Sequence, residues 1–370
     1  MKRALSSLLA LCLLAGVLSA CGTEPAAENT PAPEPSAAVS AEAATREFTD
    51  STGRTVTVPD EVTRVAVSGP LTQIYAIPLV GDLMVGVSNY IAEDIEKYLP
   101  DYISTLPELG QLYGGGAELD LEAILAADPD VVIDIGDSKD GIAEDMDSLS
   151  EQTGIPFVHI DATVQTSPDA YRMLGELVGR EAEAEEIATW LEDLYTMMTD
   201  MMARVDADGA RKTALYCLGD KGLNVIAEGS YHAETFNMMT DNLADLPEVV
   251  SNGNGNEVDM EQLLVWDPEV IVFAPDSVYE TVADDATWQQ LQAISSGSYY
   301  KTPYGPYGWL SSPPSVQRYL GMLWLGALLY PDYCEYDLQE MVTEYYSLFY
   351  QCDLTQEMYD ELMVGAMPAE

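Results

Sequence analysis

The sequence predicts an α/β protein built from two Rossmann-like lobes that are joined by one long backbone helix. The first observation behind this prediction is a repeat, in which Glu118 recurs as Glu257 and Asp137 recurs as Asp276, an offset of 139 residues. The second is a stretch between the copies, residues 168–205, whose apolar residues recur at helical spacing. A helix–strand unit that is used twice indicates two lobes of related design.

Each copy of the repeat has the pattern of a helix followed by a buried strand. Asp120 and Asp259 are the predicted N-caps, because a short carboxylate can accept a hydrogen bond from a free amide of the first turn. Apolar residues then recur at helical spacing until the pair Asp-Pro ends the helix. The β-branched run that follows predicts a strand in the core of each lobe.

The stretch between the two copies predicts a single linking helix over residues 167–206, with Gly179 as its only interruption. At about 1.5 Å per residue, its periodic part would span roughly 54 Å, long enough to run along both lobes. The domains on either side are an N-terminal α/β lobe over 46–166 and a C-terminal α/β lobe over 207–370. The N-terminal lobe should open with a β-hairpin, and helices should finish the chain over 315–329, 338–350 and 355–364.

The first 45 residues are predicted to lie outside this fold. Two basic residues precede the apolar stretch Leu8–Leu18, which is too short to span a bilayer and is typical of a signal peptide over residues 1–20. The run Leu-Ser-Ala before Cys21 resembles a bacterial lipobox, so Cys21 is the expected site of lipid attachment. Residues 21–45 are rich in Ala, Pro and Glu, which predicts a disordered tether. We therefore expect a lipid-anchored protein on the extracytoplasmic face of the cell membrane.

Composition limits the classes of partner and activity. The chain has 63 acidic and 15 basic residues, a net charge of −48, which makes nucleic acid and anionic lipid surfaces poor partners, and no nucleic acid is expected to bind. The acidic residues are expected to form a solvated surface. The sequence contains no P-loop, G-x-S-x-G or H-E-x-x-H motif, so neither an enzymatic activity nor a cofactor is predicted.

Cysteine and histidine are too few to predict a metal site made by the protein alone. Cys217 lies in a predicted buried strand and is interpreted as a small core residue. Cys334 and Cys352 are compatible with either a disulfide or free thiols. The only histidines are His159, predicted to be structural, and His232, and no C-x-x-C pair is present.

Three ordered motifs resemble a known family over roughly residues 46–350. They are the hairpin Asp50–Pro59, the helix start Leu119–Glu122 before the strand at Asp130–Ile133, and a tail containing Trp309 and Leu323–Pro331. Together these motifs are similar to the substrate-binding proteins of ABC importers that carry a single long helix between lobes. That family delivers iron–siderophores, haem and cobalamin, and some branches bind free metal, molybdate or tungstate.

The resemblance implies a ligand cleft between the lobes, faced by the loops at the carboxyl ends of the strands. The candidate ligand-binding residues in the N-terminal lobe are Ser68, Leu71, Thr72, Asn89, Tyr90, Tyr113 and Asp137. In the C-terminal lobe they are Asp220, Tyr231, His232, Tyr304, Tyr307 and Trp309, with Gly219 and Asn254 beside them. For Tyr113 and for the aromatic run that ends at Trp309, packing in a loop or in the core is the alternative. For His232 the alternative is a surface position or a helix start.

The resemblance also implies partners and a function. The family docks to its permease through a Glu on each lobe; Glu234 matches the second position, whereas Gln73 stands at the first, a departure from the family pattern. The expected partners are the permease and ATPase subunits of an ABC importer, and the chain is expected to be a monomer. Aromatic enrichment favours a metal chelate of the iron–siderophore, haem or corrinoid type as ligand. The alternatives are molybdate or tungstate binding, and ligand sensing without transport.

Overall fold

The computed structural model describes residues 44–88, 95–114, 118–250 and 253–368, which belong to one compact unit. The predicted signal peptide, Cys21 and nearly all of the tether lie outside the described residues. Asn89 and Tyr90 also lie outside them. None of the helices in the described ranges is both long and apolar enough to cross a bilayer.

The N-terminal lobe opens with the predicted hairpin, in which β1 (Thr45–Thr49) pairs antiparallel with β2 (Thr55–Pro59). The elements that follow are β3 (Val65–Val67), α1 (Pro70–Val80), α2 (Ile95–Tyr98), β4 (Gly110–Gln111), β5 (Glu118–Leu119), α3 (Leu121–Ala127), β6 (Val131–Gly136), α4 (Ile142–Thr153) and β7 (Phe157–Asp161). Strands β3, β6 and β7 form a parallel sheet in that order, and β4 pairs antiparallel with β5. Two short 3-10 helices lie at Gly81–Leu83 and Ile103–Thr105.

The prediction of one helix over residues 167–206 is wrong, because the chain forms α5 (Ser167–Val178) and α6 (Glu181–Ala207). Gly179 ends α5 in the left-handed conformation, at φ +72°, and α6 then packs along α5. Gly175 permits this contact, since a Cβ there would lie only 2.4 Å from the Cβ of Ala184. Helix α6 alone leads from the first lobe to the second, and its 27 residues span about 40 Å.

The C-terminal lobe follows α6. Its elements are β8 (Thr213–Leu218), β9 (Asn224–Val225), α7 (Glu234–Met239), β10 (Asp241–Asn242), β11 (Asn256–Glu257), α8 (Met260–Trp266), β12 (Val270–Phe273), α9 (Gln292–Ser295), β13 (Tyr299–Lys301), α10 (Arg318–Leu329), α11 (Leu338–Tyr350) and α12 (Gln356–Leu362). The sheet has the order β11-β9-β8-β12-β13, with β10 also paired to β8. Strands β8, β12 and β13 are parallel. The three predicted C-terminal helices are confirmed as α10, α11 and α12. Three 3-10 helices lie at Tyr231–Ala233, Val282–Asp284 and Trp288–Gln290.

The repeated unit folds as predicted in both lobes, as α3 with β6 and as α8 with β12. Asp120 and Asp259 cap the two helices, accepting hydrogen bonds from backbone amides of the first turn at 2.9 and 2.8 Å. Asp128 and Asp267 end them in the left-handed conformation, at φ 49° and 36°. Each buried strand that follows has a parallel neighbour on both sides. The sequence pattern therefore gives the centre of each sheet correctly.

The two lobes share a hydrophobic core. One continuous cluster takes apolar side chains from α1 and α5 of the first half, from α6, and from α10 and α11 of the second half. Each sheet has a smaller cluster of its own. Tyr345, Tyr346, Phe349 and Tyr350 give α11 an aromatic face that packs inside the shared cluster. This shared core fixes where the two sheets stand relative to each other.

The three cysteines of the described chain are free thiols. Cys217 is buried in β8, as predicted, and burial raises the pKa of its thiol to about 12. Cys334 Sγ lies 3.4 Å from the carbonyl oxygen of Tyr336, and Cys352 Sγ lies 3.9 Å from the carbonyl oxygen of Lys97. The structure thus selects free thiols over the disulfide that the sequence left open.

Candidate ligand-binding cleft

A cleft of about 920 Å³ lies between the lobes. Its walls are mainly loops that follow parallel strands, where strand ends and helix starts leave backbone groups available to a ligand. The residues that line it in the first lobe are Pro70, Leu71, Gln111, Tyr113, Gly114, Asp137 and Lys139. Those in the second lobe are Leu218, Gly219, Asn224, Tyr231, His232, Gly253, Asn254, Asp276 and Ser311–Pro314.

The first-lobe wall of the cleft contains the aromatic ring of Tyr113 and the cationic side chain of Lys139, which contacts both that ring and Asp137. Lys139 Nζ lies 3.0 Å from Asp137 Oδ1 and 4.6 Å from the centre of the Tyr113 ring. The Tyr113 hydroxyl donates to Asp145 Oδ2 at 2.8 Å. Burial, together with this bond, raises the pKa of Tyr113, so the side chain remains a neutral phenol. The wall therefore offers an aromatic surface and a lysine whose charge is already balanced by a neighbouring carboxylate.

The second-lobe wall carries His232 in a defined tautomer. Its Nδ1 lies 3.2 Å from the carbonyl oxygen of Ser311. Because a carbonyl can only accept, Nδ1 must carry the proton, and the neutral ring then has a lone pair on Nε2. Burial lowers the pKa of His232 below its ordinary value of 6.5, and the nearby Arg318 lowers it further. At neutral pH the cleft therefore holds a neutral imidazole that can accept a hydrogen bond or bind a metal.

Tyr231 precedes His232 and connects the two walls. Its ring lines the cleft, while its hydroxyl donates to the carbonyl oxygen of Ala162 in the first lobe at 2.7 Å. Burial raises the pKa of Tyr231, so the phenol keeps the proton that this bond requires. The side chain thus contributes to the surface for a ligand and to the contact between the lobes.

The repeated helix–strand unit places one carboxylate in each wall of the cleft. Asp137 follows β6 and Asp276 follows β12, at the repeat offset of 139 residues, and both line the cleft. Lys139 is the one basic side chain among the lining residues that the structure describes. With His232 neutral, the cleft has a small negative charge, which disfavours anions.

Residues 68–304, more than half of the chain, match the family described as periplasmic binding protein. The chain belongs to this family of periplasmic binding proteins. Its members are extracytoplasmic solute-binding proteins, not enzymes, that work with ABC permease components. The mixed α/β fold with two lobes is that of the solved structures it resembles.

Two relatives illustrate the similarity. The solved structure of an ABC transporter solute binding protein from Sulfurospirillum deleyianum has a TM-score of 0.77 and 28% identity, covering 86% of this chain and 99% of the other. The molybdate-binding protein MolA of Haemophilus influenzae is 24% identical over 342 residues, 83% of this chain and 92% of MolA. The MolA structure with bound molybdate has a TM-score of 0.67 and 22% identity, covering 84% and 99% of the two chains.

Several residues predicted from the sequence of this periplasmic binding protein do line the cleft: Leu71, Tyr113, Asp137, Tyr231 and His232, with Gly219 and Asn254. Their contact with a ligand remains a prediction. Ser68 and Thr72 instead line a small adjoining cavity of about 40 Å³. Ser68 Oγ donates to the buried Asp134, and Thr72 Oγ1 accepts from the amide of Ile135, so both hydroxyls serve the local structure.

The predicted aromatic wall from Tyr304 to Trp309 is wrong at Tyr307 and at Trp309. Tyr307 and Trp309 are fully buried in the shared core, where Tyr307 packs against Tyr350 of α11. Tyr304 is half-buried beside Gly308, and neither Tyr304 nor Asp220 is among the residues that line the cleft. The core-packing alternative is therefore the correct one for Tyr307 and Trp309.

The two predicted permease-docking residues have internal partners. Gln73 is fully buried; its Nε2 donates to the hydroxyl of Tyr307 and its Oε1 accepts from the amide of Ser88. Glu234 accepts from the amide of Val164 at 2.9 Å and pairs with Arg318 at 2.8 Å. A buried amide cannot meet a permease, and the carboxylate of Glu234 is already paired. The docking assignment of Gln73 is therefore wrong, and this residue has a structural role. The docking assignment of Glu234, whose side chain is 29% exposed, stays a prediction.

Sequence reasoning missed several residues that line the cleft. The repeat could have predicted Asp276, because this residue is the counterpart of Asp137, which is a candidate from the sequence. Gln111 and Asn224 form a second matched pair, since each pairs in a sheet with the first residue of a repeat copy, Glu118 or Glu257. Lys139 and the loop Ser311–Pro314 have no comparable pattern, because distant contacts bring them to the cleft.

Proposed function

We propose that this periplasmic binding protein captures an organic metal chelate of the iron–siderophore, haem or corrinoid type for delivery to an ABC permease. The observation that carries this proposal is the cleft of about 920 Å³, walled by Tyr113, Tyr231 and a neutral His232. Clefts of this size enclose large organic ligands, with aromatic walls that supply most of the contact area. A tetrahedral oxyanion would occupy only a small part of such a space.

The chemistry of His232 supports a chelate as the ligand. An imidazole whose Nδ1–H is bonded to a backbone carbonyl is the usual arrangement of a histidine that binds metal through Nε2. Such a nitrogen can take an open coordination position on a chelated metal or accept a hydrogen bond from the organic part. It offers no hydrogen to an oxyanion, which needs donors.

The net charge of the cleft favours chelates that are neutral or positively charged. Asp137 and Asp276 stand on opposite walls, and Lys139 is paired with the first of them. A neutral or cationic chelate meets no electrostatic penalty in this setting, whereas an anionic one meets the net negative charge that Asp276 leaves in the cleft. We therefore expect neutral and cationic chelates to bind more tightly than anionic chelates of similar size.

Molybdate or tungstate binding is the second candidate, and the similarity to MolA favours it. An oxyanion would have to be bound by the serines of the 311–314 loop, by Asn254 and by Lys139 after it leaves Asp137. That rearrangement has an energetic cost that a chelate does not incur. We rank this candidate second for that reason.

A calorimetric titration tests the proposal directly. The panel is aquacobinamide, haem, a ferric tris-hydroxamate, a ferric tris-catecholate, molybdate and tungstate, each added to the purified chain. We expect at least one chelate to bind in the micromolar range or tighter, and molybdate and tungstate to give no heat above dilution. Tight binding of an oxyanion together with no binding of any chelate would overturn the proposal.

A pair of variants separates cleft contact from general damage. His232→Gln removes the Nε2 lone pair and should weaken chelate binding by about tenfold, the effect of losing one strong polar contact. Lys221→Ala changes an exposed residue outside the cleft, in the loop that follows β8, and should leave the affinity unchanged. Equal affinities in the two variants would show that His232 does not contact the ligand.

We also propose that Cys21 carries the lipid that keeps the protein at the membrane. The lipobox-like run before Cys21, the preceding apolar stretch and the following Pro-rich segment support this assignment. Cys21→Ala should move the protein from the membrane fraction to the soluble fraction of the producing cells. Mass spectrometry of the mature protein should find a diacylglyceryl group on Cys21, and an unmodified cysteine there would contradict the proposal.

A further inference from the structure

Arg318 is a buried cation directly behind the second-lobe wall of the cleft. Its side chain is 0% exposed, and its guanidinium stacks 4.5 Å from the centre of the Tyr231 ring. It donates to the carbonyl and the hydroxyl of Tyr231 at 3.1 and 3.0 Å, and to the carbonyl of Ser315 at 3.1 Å. Glu234 supplies the compensating charge at 2.8 Å. A fully buried cation is tolerated only when it is paired in this way.

The residues around Arg318 bind the opposite lobe. The Tyr231 hydroxyl donates to the carbonyl of Ala162, and Glu234 Oε1 accepts from the amide of Val164. Tyr319, the next residue after Arg318, donates its hydroxyl to the carbonyl of Val164 at 2.5 Å. Ala162 and Val164 belong to the segment that leaves β7 for α5 in the first lobe. Three hydrogen bonds thus connect the base of the second-lobe wall to one short segment of the first lobe.

We infer that Arg318 is a positioning residue for ligand capture, which sets the width of the cleft through Tyr231, Glu234 and Tyr319. We name these four residues the interlobe clamp. Arg318 does not line the cleft, but Tyr231 does, so a ligand that presses on this ring meets a side chain anchored in both lobes. A cleft that is fixed before binding loses less conformational freedom on binding, which raises affinity without an added contact.

Part of this inference rests on the proposed function, namely the effect on chelate affinity. The effect on the interlobe segment does not, because it concerns the protein without ligand. The test therefore has one arm for the segment and one for affinity, and the two can fail separately.

The first arm measures hydrogen–deuterium exchange in the ligand-free chain, over peptides that contain residues 162–166. Arg318→Lys keeps a positive charge but loses the planar group that binds Tyr231 and Glu234 together. Tyr319→Phe removes only the hydroxyl bonded to Val164 and leaves the cleft lining intact. Tyr330→Phe is the control, since the Tyr330 hydroxyl makes its hydrogen bonds within the second lobe: it donates to the carbonyl oxygen of Met239 at 2.8 Å and accepts from the amide of Lys212 at 3.1 Å.

We expect exchange at 162–166 to become about tenfold faster in Arg318→Lys and in Tyr319→Phe, as the loss of one buried hydrogen bond would produce. In Tyr330→Phe this segment should exchange as in the wild type, although the melting temperature should fall at least as far as in Tyr319→Phe, because two hydrogen bonds are lost. The inference is overturned if Arg318→Lys leaves the segment unchanged, or if Tyr330→Phe accelerates it equally.

The second arm measures the affinity for aquacobinamide and for a ferric tris-hydroxamate. We expect Arg318→Lys and Tyr319→Phe each to weaken binding severalfold and Tyr330→Phe to leave it unchanged. If neither probe binds the wild-type chain, the proposed binding of corrinoids and of hydroxamate siderophores is wrong. The hydrogen–deuterium exchange result still decides whether the interlobe clamp exists. If a probe binds equally to the wild type and Tyr319→Phe although the segment has loosened, the clamp does not serve ligand capture.

Discussion

The Nδ1 proton of His232 is committed to the carbonyl of Ser311, which leaves Nε2 as the nitrogen that a ligand can use. Ser311 lies 79 residues away along the chain, so the sequence around His232 contains no sign of this bond. Whether a histidine donates or accepts depends on what its other nitrogen binds, and here a distant loop decides it. A residue type can therefore be predicted for a site while its chemical role cannot.

The pKa of His232 gives a pH dependence with a definite sign. Burial lowers the pKa below 6.5, so the folded chain takes up this proton only at a lower pH than the unfolded chain does. The contribution of the neutral ring to stability is complete above pH 6.5 and is lost as the pH falls through the folded pKa. Chelate affinity should likewise be constant above pH 6.5 and decrease below it.

Calorimetric titrations of the wild type and His232→Gln, between about pH 8 and pH 5, measure this effect. The wild type should lose affinity on the acid side, whereas the variant should show a flatter profile. An identical acid loss in both proteins would assign the pH dependence to another group or to the ligand itself.

Asp276 provides a test of the charge of the cleft. Asp276→Asn removes the carboxylate of one wall and should weaken a cationic chelate such as a ferric tris-hydroxamate of net positive charge by about threefold. An anionic tris-catecholate should gain affinity by a similar factor. Asp245→Asn, an exposed change outside the cleft, serves as the control. If the affinities for both chelates changed in the same direction, the substitution would have altered the shape of the cleft and not only its charge.

Aromatic residues show why burial is hard to predict from a short stretch of sequence. Tyr231 and Trp309 both occur in polar, glycine-containing surroundings, yet one lines the cleft and the other is fully buried. The difference comes from α11, whose aromatic face covers the run that contains Tyr307 and Trp309. That cover lies about 40 residues further along the chain, so local composition does not reveal it.

The secondary-structure elements follow the sequence where the signal is local and repeated. Both copies of the repeat have a capping Asp, an amphipathic helix and a β-branched strand, and each of these depends on near neighbours. The linking helix is harder to predict, because a glycine such as Gly179 inside a periodic stretch is compatible both with a helix that continues and with one that ends. Packing decides the outcome, since Gly175 lets α6 lie against α5 at Ala184.

The two helix caps give a prediction at this level. Asp120→Ala and Asp259→Ala should each lower the free energy of unfolding by about 1 kcal/mol, because each removes one hydrogen bond to the first turn. The two losses should add in the double variant, since the caps belong to separate lobes. Asp→Asn at either position retains the acceptor and is the control. Urea unfolding curves measure all five variants, and a strongly non-additive double variant would mean that the two helices are coupled.

The molecule as a whole has two sheets but one main core. The notion of two lobes follows from the repeat, and the shared cluster of α1, α5, α6, α10 and α11 could not be predicted because it depends on how the lobes face each other. Further polar contacts cross between the halves, including Gln73 with Tyr307 and Ser315 with the carbonyl of Leu71. These contacts limit how far the lobes can move apart.

Ligand binding should therefore change the overall shape very little. Opening the cleft widely would expose apolar residues of the shared cluster, and each buried large side chain contributes about 1.5–3 kcal/mol to keeping that cluster closed. The interlobe clamp adds a second restraint at the base of the cleft. We expect the radius of gyration from small-angle X-ray scattering to differ by no more than about 1 Å between the free chain and the chain saturated with a chelate. The clamp variant Tyr319→Phe should show a slightly larger difference, because its lobes are less restrained before binding. A large contraction in the wild type would mean that the shared core divides on opening, and that the lobes move as separate bodies.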